Sequence, residues 1–137
     1  MAVNLPRGKA YDGYHVTPGG TVEPGETDRQ ALVREVREET GLDIPEQKLT
    51  RVRRCAHMKP DGVAYVSTHY SMVQDGEPRH MEPEKNTAWE FYRFDDVLSS
   101  GNGALELCLL MESTYYAVLD FVYALPDRNK IKLESYD

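Results

Sequence analysis

Apolar and polar positions along this chain fall into two rhythms, a helical one and a strand-like one. Between positions 27 and 41, Leu32, Val33 and Val36 fall within about 100° of arc around a helix, enough for one buried stripe. Thr27-x-x-Gln30 opens this stretch as a hydroxyl N-cap with a glutamine three residues on, and Gly41 closes it with a residue suited to the left-handed turn that ends helices. The pattern predicts a helix over 28–40. After Pro45 the rhythm changes. Arg51, Arg53 and Arg54 alternate along one strand, where they read as surface positions, and 63–73 alternates with Ala64, Val66, Thr68, Tyr70 and Met72 on one face. A turn-rich stretch over 74–85, with Asp75-Gly76, Pro78 and Pro83, separates this strand from another over 89–94. From 104 to 124 the chain is apolar at helical spacing, and Pro126 follows its end. The order loop, helix, strands, helix predicts a mixed α/β sandwich, and 137 residues without a linker-like stretch predict one domain over 1–137.

Charge and cysteine content narrow the function. Sixteen Lys and Arg stand against 23 Asp and Glu, a formal net charge of −7, which disfavours a general nucleic-acid binder or an electrostatic membrane binder. A polyanionic substrate would have to arrive with a cation that offsets the protein's own charge. Cys55 and Cys108 are too few for a disulfide scaffold and lie in apolar-rich stretches, as expected of a reduced, cytoplasmic protein. No secretory leader is evident, and no apolar run approaches the roughly 20 residues of a membrane span.

Candidate chemistry concentrates on the first helix. Glu35, Glu38 and Glu39 sit at about 0°, 300° and 40° around it, so three carboxylates share one face. Like charges so placed repel unless a cation sits among them. Clustered hard oxygens suit Mg²⁺ or Mn²⁺, which bind carboxylates, water and substrate phosphate together. Just upstream, Gly19-Gly20 offers backbone with no Cβ to obstruct close approach. Taken alone, such a cluster is more often a solvated face, here balanced by Arg34 and Arg37.

The spacing removes that ambiguity. The chain reads Gly20-x5-Glu26-x7-Arg34-Glu35-Val36-x-Glu38-Glu39-x-Gly41-Leu42. This resembles the Nudix box at every position, and ordinary residue usage gives about one chance match in 10⁹ per register. The resemblance implies a Nudix hydrolase with a Nudix-type α/β/α sandwich and a mixed sheet. Such enzymes cleave a nucleoside diphosphate linked to another group, using Mg²⁺ or Mn²⁺ and an activated water. Carried over by position, Glu35, Glu38 and Glu39 are its metal-binding glutamates, the Gly20 carbonyl its backbone ligand, and Arg34 with Glu26 the pair that holds the loop to the helix. Of the three glutamates, Glu38 is also expected in a catalytic role.

A second stretch, Met81-Glu82-Pro83-Glu84-Lys85-Asn86-Thr87-Ala88-Trp89-Glu90-Phe91 with Phe94-Asp95-Asp96-Val97, is similar to the MutT-type nucleoside triphosphate diphosphohydrolases. In that branch a loop carboxylate before the tryptophan joins the metal site or acts as general base, and Glu84 matches it. The implied reaction converts a nucleoside triphosphate to monophosphate and pyrophosphate. Dinucleoside polyphosphates, ADP-ribose-like sugars and capped RNA remain alternative substrates, and a Nudix-fold binding or regulatory module without turnover is the alternative class.

The remaining candidates carry less. His15 lies three residues before Pro18, near where relatives bind substrate; Arg7 and Lys9 have the reach to touch phosphates or to form a solvated arm. Only 19 residues precede Gly20, fewer than Nudix domains usually have, so the sheet is expected to lack its usual first edge strand. An uncovered edge invites pairing with another chain, which predicts a homodimer.

Overall fold

The computed structural model describes residues 1–5, 7, 13–58, 61–94 and 112–125. The helix expected over 28–40 is α1, Asp28–Thr40, and local chemistry sets both its ends. Thr27 Oγ1 accepts from Gln30 N at 3.2 Å while Thr27 N donates to the Gln30 side chain at 2.9 Å, satisfying two donors that the first turn leaves open. Gly41, at φ 73°, takes the left-handed conformation and donates to Arg37 O. A 3₁₀ turn at Glu46–Lys48 follows Pro45 and delivers the chain into a hairpin.

That hairpin pairs β2, Thr50–Met58, antiparallel with β3, Ala64–Ser71. Its register slips between Arg51 and Arg53. Arg53 reaches across to Asp120 at 2.8 Å and lies over the Tyr116 ring, while Arg54 approaches Asp28 at 3.7 Å. Arg53 is thus a surface position, as its alternation suggests, that also ties the hairpin to the last helix. The hairpin also overhangs the core: of the predicted face, Tyr70 and Met72 pack inward, whereas Val66 is 56% exposed.

The other pairing joins β1, Ala2–Val3, antiparallel to β4, Glu90–Phe91. Asn4 bridges to Val16 on the far side of β1, so the N-terminal stretch adds only a short strand. The strand expected over 89–94 is shorter at both ends, and the Trp89 indole before it bonds to α1. Among the described residues the sheet layer is thus two antiparallel pairs rather than one mixed sheet. The last described element is α2, Glu112–Ala124, the C-terminal part of the helix expected over 104–124. Residues 104–111, Cys108, Pro126, the Asp95-Asp96-Val97 stretch and Lys9 lie outside the described residues.

Two apolar clusters build the sandwich. Val3 packs with Val118 and Val122 of α2, bordered by Tyr92, Phe94 and Phe121. Val36 of α1 packs with Ile44 and Leu49, bordered by Leu32, Val33, Leu42, Tyr70 and Met72. The predicted stripe of α1 is thus its buried side, which leaves the glutamate face free. A cavity of about 360 Å³ lies between the helix layers, lined by Leu32, Val36 and Thr40 of α1 and by Ala117, Val118 and Phe121 of α2. It sits under the buried stripe and not at the acidic face. No helix among the described residues is long and apolar enough to cross a membrane.

Candidate active site

Arg34 organises the acidic face. Its Nε and Nη2 donate to the two oxygens of Glu26 at 3.2 and 2.7 Å, a fork on a carboxylate that sits on the loop before α1. Nη2 also donates to Thr21 O at 3.0 Å, and Nη1 donates to Glu35 at 2.9 Å and Glu38 at 3.3 Å. One planar guanidinium therefore ties the loop to two successive turns of the helix. A lysine, with a point charge in place of a fork, has no equivalent geometry. The hydrogen bond from Arg34, and then the Glu23 amide, hold the Glu26 carboxyl below the usual carboxylate range, and Glu26 and Glu35 together raise the Arg34 pKa.

The glycine loop closes onto the same face. Gly19 N donates to Glu39 Oε2 at 2.9 Å. A Cβ at Gly20 would run into the Glu35 carboxylate, with even the further oxygen only 2.7 Å away. Gly20 is not among the positive-φ glycines, so it is required here by space and not by backbone conformation. Glu39 is the poorly solvated carboxylate of this face. Burial is the main cause that raises its pKa to about 7, the Gly19 amide opposes it, and the charges of Glu35 and Glu82 add to it.

The loop 79–89 supplies the opposite wall. Glu82, a partly buried carboxylate, accepts from Lys85 Nζ at 2.6 Å and lies close enough to Glu39 to raise its pKa. Glu84 is exposed. Spacing from Trp89 selects Glu84 and passes over Glu82, because nothing local in the chain distinguishes the two. Lys85 N and Asn86 N both donate to Glu82 O, which closes a turn over this part of the loop. Trp89 Nε1 donates to Glu39 O at 3.1 Å, so the tryptophan is docked on the end of α1.

Glu26, Arg34, Glu35, Glu39 and Gly20 are therefore brought together, with Glu38 at the rim, its side chain 52% exposed and bonded to Arg34. His15 is buried and meets Tyr92 edge-on at 5.6 Å, with its Nδ1 unpartnered. Arg7 donates through Nε to Pro83 O at 3.0 Å, on the outer side of the acidic loop. Among the described residues no three acidic, histidine or cysteine side chains already converge as a ligand set, because Arg34 draws Glu35 and Glu38 toward itself. The donors nevertheless fit a hard divalent cation. They are carboxylates and backbone oxygen, the Gly20 position leaves space against Glu35 that a side chain would fill, and Glu39 is poorly solvated.

Residues 3–107 match the NUDIX domain family. The fold is similar to the crystal structure of the MutT NUDIX hydrolase from Burkholderia pseudomallei, with a TM-score of 0.71, 25% identity, and coverage of 87% of this chain and 85% of that one. It is also similar to the solution structure of the E. coli ORF135 protein, with a TM-score of 0.66, 23% identity, and coverage of 91% and 84%.

Proposed function

The chain belongs to the Nudix family and is a Nudix hydrolase acting on nucleoside diphosphate derivatives, and from that premise we propose that it converts a nucleoside triphosphate to the monophosphate and pyrophosphate with Mg²⁺ or Mn²⁺. The observation that carries this reading is the Arg34 clamp, which holds Glu26 and Glu35 against the Gly19-Gly20 loop beside the poorly solvated Glu39. The Gly20 carbonyl, Glu35, Glu38 and Glu39 would hold the ion. Once bound, the ion supplies neutralisation of the diphosphate and lowers the pKa of a bound water.

The chain's own residues do the rest. Arg34 fixes two carboxylates by hydrogen bonds, so that they need not reorganise when charge develops. Glu38, more exposed and bonded only through one oxygen to Arg34, keeps its other oxygen available to accept a proton from water. From the loop, Glu84 and the more buried Glu82 are the carboxylates available to assist, with Lys85 balancing them. His15, Arg7 and Lys9 are assigned to substrate contact on the strength of their place before the glycine loop. The triphosphate preference rests on the 81–91 stretch and its similarity to the MutT type.

Release of pyrophosphate or phosphate from a panel of nucleoside triphosphates, dinucleoside polyphosphates, ADP-ribose and capped RNA, in the wild type and in Glu38→Gln, tests the proposal. Turnover of triphosphates that falls at least 10²-fold in the variant is expected. Equal, negligible turnover in both proteins would favour a binding module instead. The homodimer is proposed through sheet edges that have no partner strand among the described residues, and a monomer in sedimentation at micromolar concentration would refute it.

A further inference from the structure

The last four carbonyls of a helix have no partner within it, and where they find one is informative. In α1, two consecutive ones are capped by the same distant segment. Thr40 O accepts from Arg79 N at 2.8 Å, and Glu39 O accepts from Trp89 Nε1 at 3.1 Å. Everything between those two donors is the loop that carries Glu82, Glu84 and Lys85. Its interior is self-bonded: His80 Nε2 donates to Asn86 O at 2.7 Å, and Lys85 N and Asn86 N both donate to Glu82 O. Its outer side is held by Arg7, whose amide and Nε donate to Lys85 O and Pro83 O. Leu5 and Thr87 also exchange bonds, Thr87 N to Leu5 O at 2.9 Å and Leu5 N to Thr87 Oγ1 at 2.8 Å, which tie the loop to the N-terminal stretch. Against the helix itself, the loop is held at the two caps.

Of the two caps, the Trp89 one acts on the residue that matters most to the site. The same Glu39 whose carbonyl receives the indole also accepts Gly19 N through its carboxylate. Glu39 is therefore a junction between the glycine loop, the helix and the acidic loop. We propose that Trp89 is a positioning residue of the active site: its indole N–H on the Glu39 carbonyl sets where Glu82 and Lys85 stand relative to Glu35 and Glu39. This rests on the diphosphohydrolase reading above, and extends it to a residue that touches neither substrate nor ion. Packing alone would ask of Trp89 only a bulky ring. The positioning role asks for the N–H.

Trp89 is the only tryptophan in the chain. It can therefore be replaced throughout by β-(3-benzothienyl)alanine, which keeps the bicyclic shape and has no N–H. Trp89→Phe is the genetic counterpart. Three readouts are compared with the wild type: metal-free hydrogen exchange over residues 79–88, Mn²⁺ affinity by calorimetry, and kcat against KM on the best nucleotide. Loss of one hydrogen bond predicts exchange about fivefold faster over that loop, Mn²⁺ affinity about tenfold weaker, and kcat about tenfold lower with KM within twofold. Unchanged exchange over 79–88 in the analogue-bearing protein overturns the proposal, whatever the turnover assay gives. Mn²⁺ affinity and kcat both within twofold of wild type overturn it equally. Wild-type protein that neither takes up Mn²⁺ nor turns over any nucleotide, yet shows faster exchange in the analogue, refutes the diphosphohydrolase reading and leaves the Trp89 contact supported.

Discussion

Gly20→Ala separates the stability of this fold from the geometry of its acidic face. The added Cβ would meet the Glu35 carboxylate, and the further oxygen, 2.7 Å away, must retreat by about 0.7 Å to reach the 3.4 Å of ordinary contact; the nearer atoms must retreat further. The backbone need not move, because Gly20 has no positive φ and alanine accepts its conformation. Glu35 has three side-chain torsions with which to swing away, at the cost of its 2.9 Å bond from Arg34. The loss of stability is therefore small, about 1 kcal/mol or less. The loss of activity is not, since a displacement of roughly 1 Å in a positioned group costs about 10² in rate. Pyrophosphate release and thermal melting, measured side by side, are expected to show kcat/KM down about 100-fold with Tm lowered by a few degrees. Gly62→Ala is the contrast: φ there is +86° with open space around the added Cβ, so Tm should fall through backbone strain while kcat/KM holds. A double-mutant cycle isolates the contact, because in a Glu35→Ala background Gly20→Ala should cost nothing further. Full activity in Gly20→Ala, or an additive loss in the cycle, would refute the steric reasoning.

Three further outcomes follow from single contacts. Glu39, with a pKa raised from 4.5 to about 7, retains a proton in the fold that the unfolded chain releases. Its contribution to metal-free stability is thus fully present below about pH 4.5 and lost as pH rises through 7. Melts in chelator from pH 5 to 8 should show Glu39→Gln gaining about 1–2 kcal/mol on the wild type at the alkaline end; parallel profiles would contradict the burial argument. Glu82→Gln is expected to lower kcat at least tenfold more than Glu84→Gln, since Glu82 is the more buried of the pair and its charge is felt at Glu39; equal losses, read by steady-state kinetics, would refute that ranking. Thr27→Ala removes the capping box and should cost about 1 kcal/mol in denaturant titration with unchanged kcat, because the cap bonds only within the first turn and Arg34, the first site residue on the helix, lies about two turns beyond it.

Much of the acidic face is legible in the chain alone. Thr27, Gln30 and Gly41 set the ends of α1 through contacts within a few residues, and the rotation of Glu35, Glu38 and Glu39 onto one side of it is helical arithmetic. The Gly20-to-Leu42 spacing adds the family and its chemistry, because a loop, a clamp and a helix face must recur together for that function. All of this is local in sequence, and local physics carries it.

The rest depends on segments that meet only in the fold. That Glu82 is more buried than Glu84 is seen only once their loop is docked on α1, by a Trp89 contact that spans fifty residues. That contact also gives an expected strand residue the role of a cap. Arg53 reads as surface and is so, but its Asp120 partner, 67 residues on, is seen only in the fold. The raised pKa of Glu39 is likewise invisible in the chain, since burial is its leading cause and burial exists only after packing. The sequence by itself determined which groups are available and which face of α1 they share. Tertiary structure alone decided how close they stand and what charge they can keep, because distance and desolvation are properties of the assembled molecule.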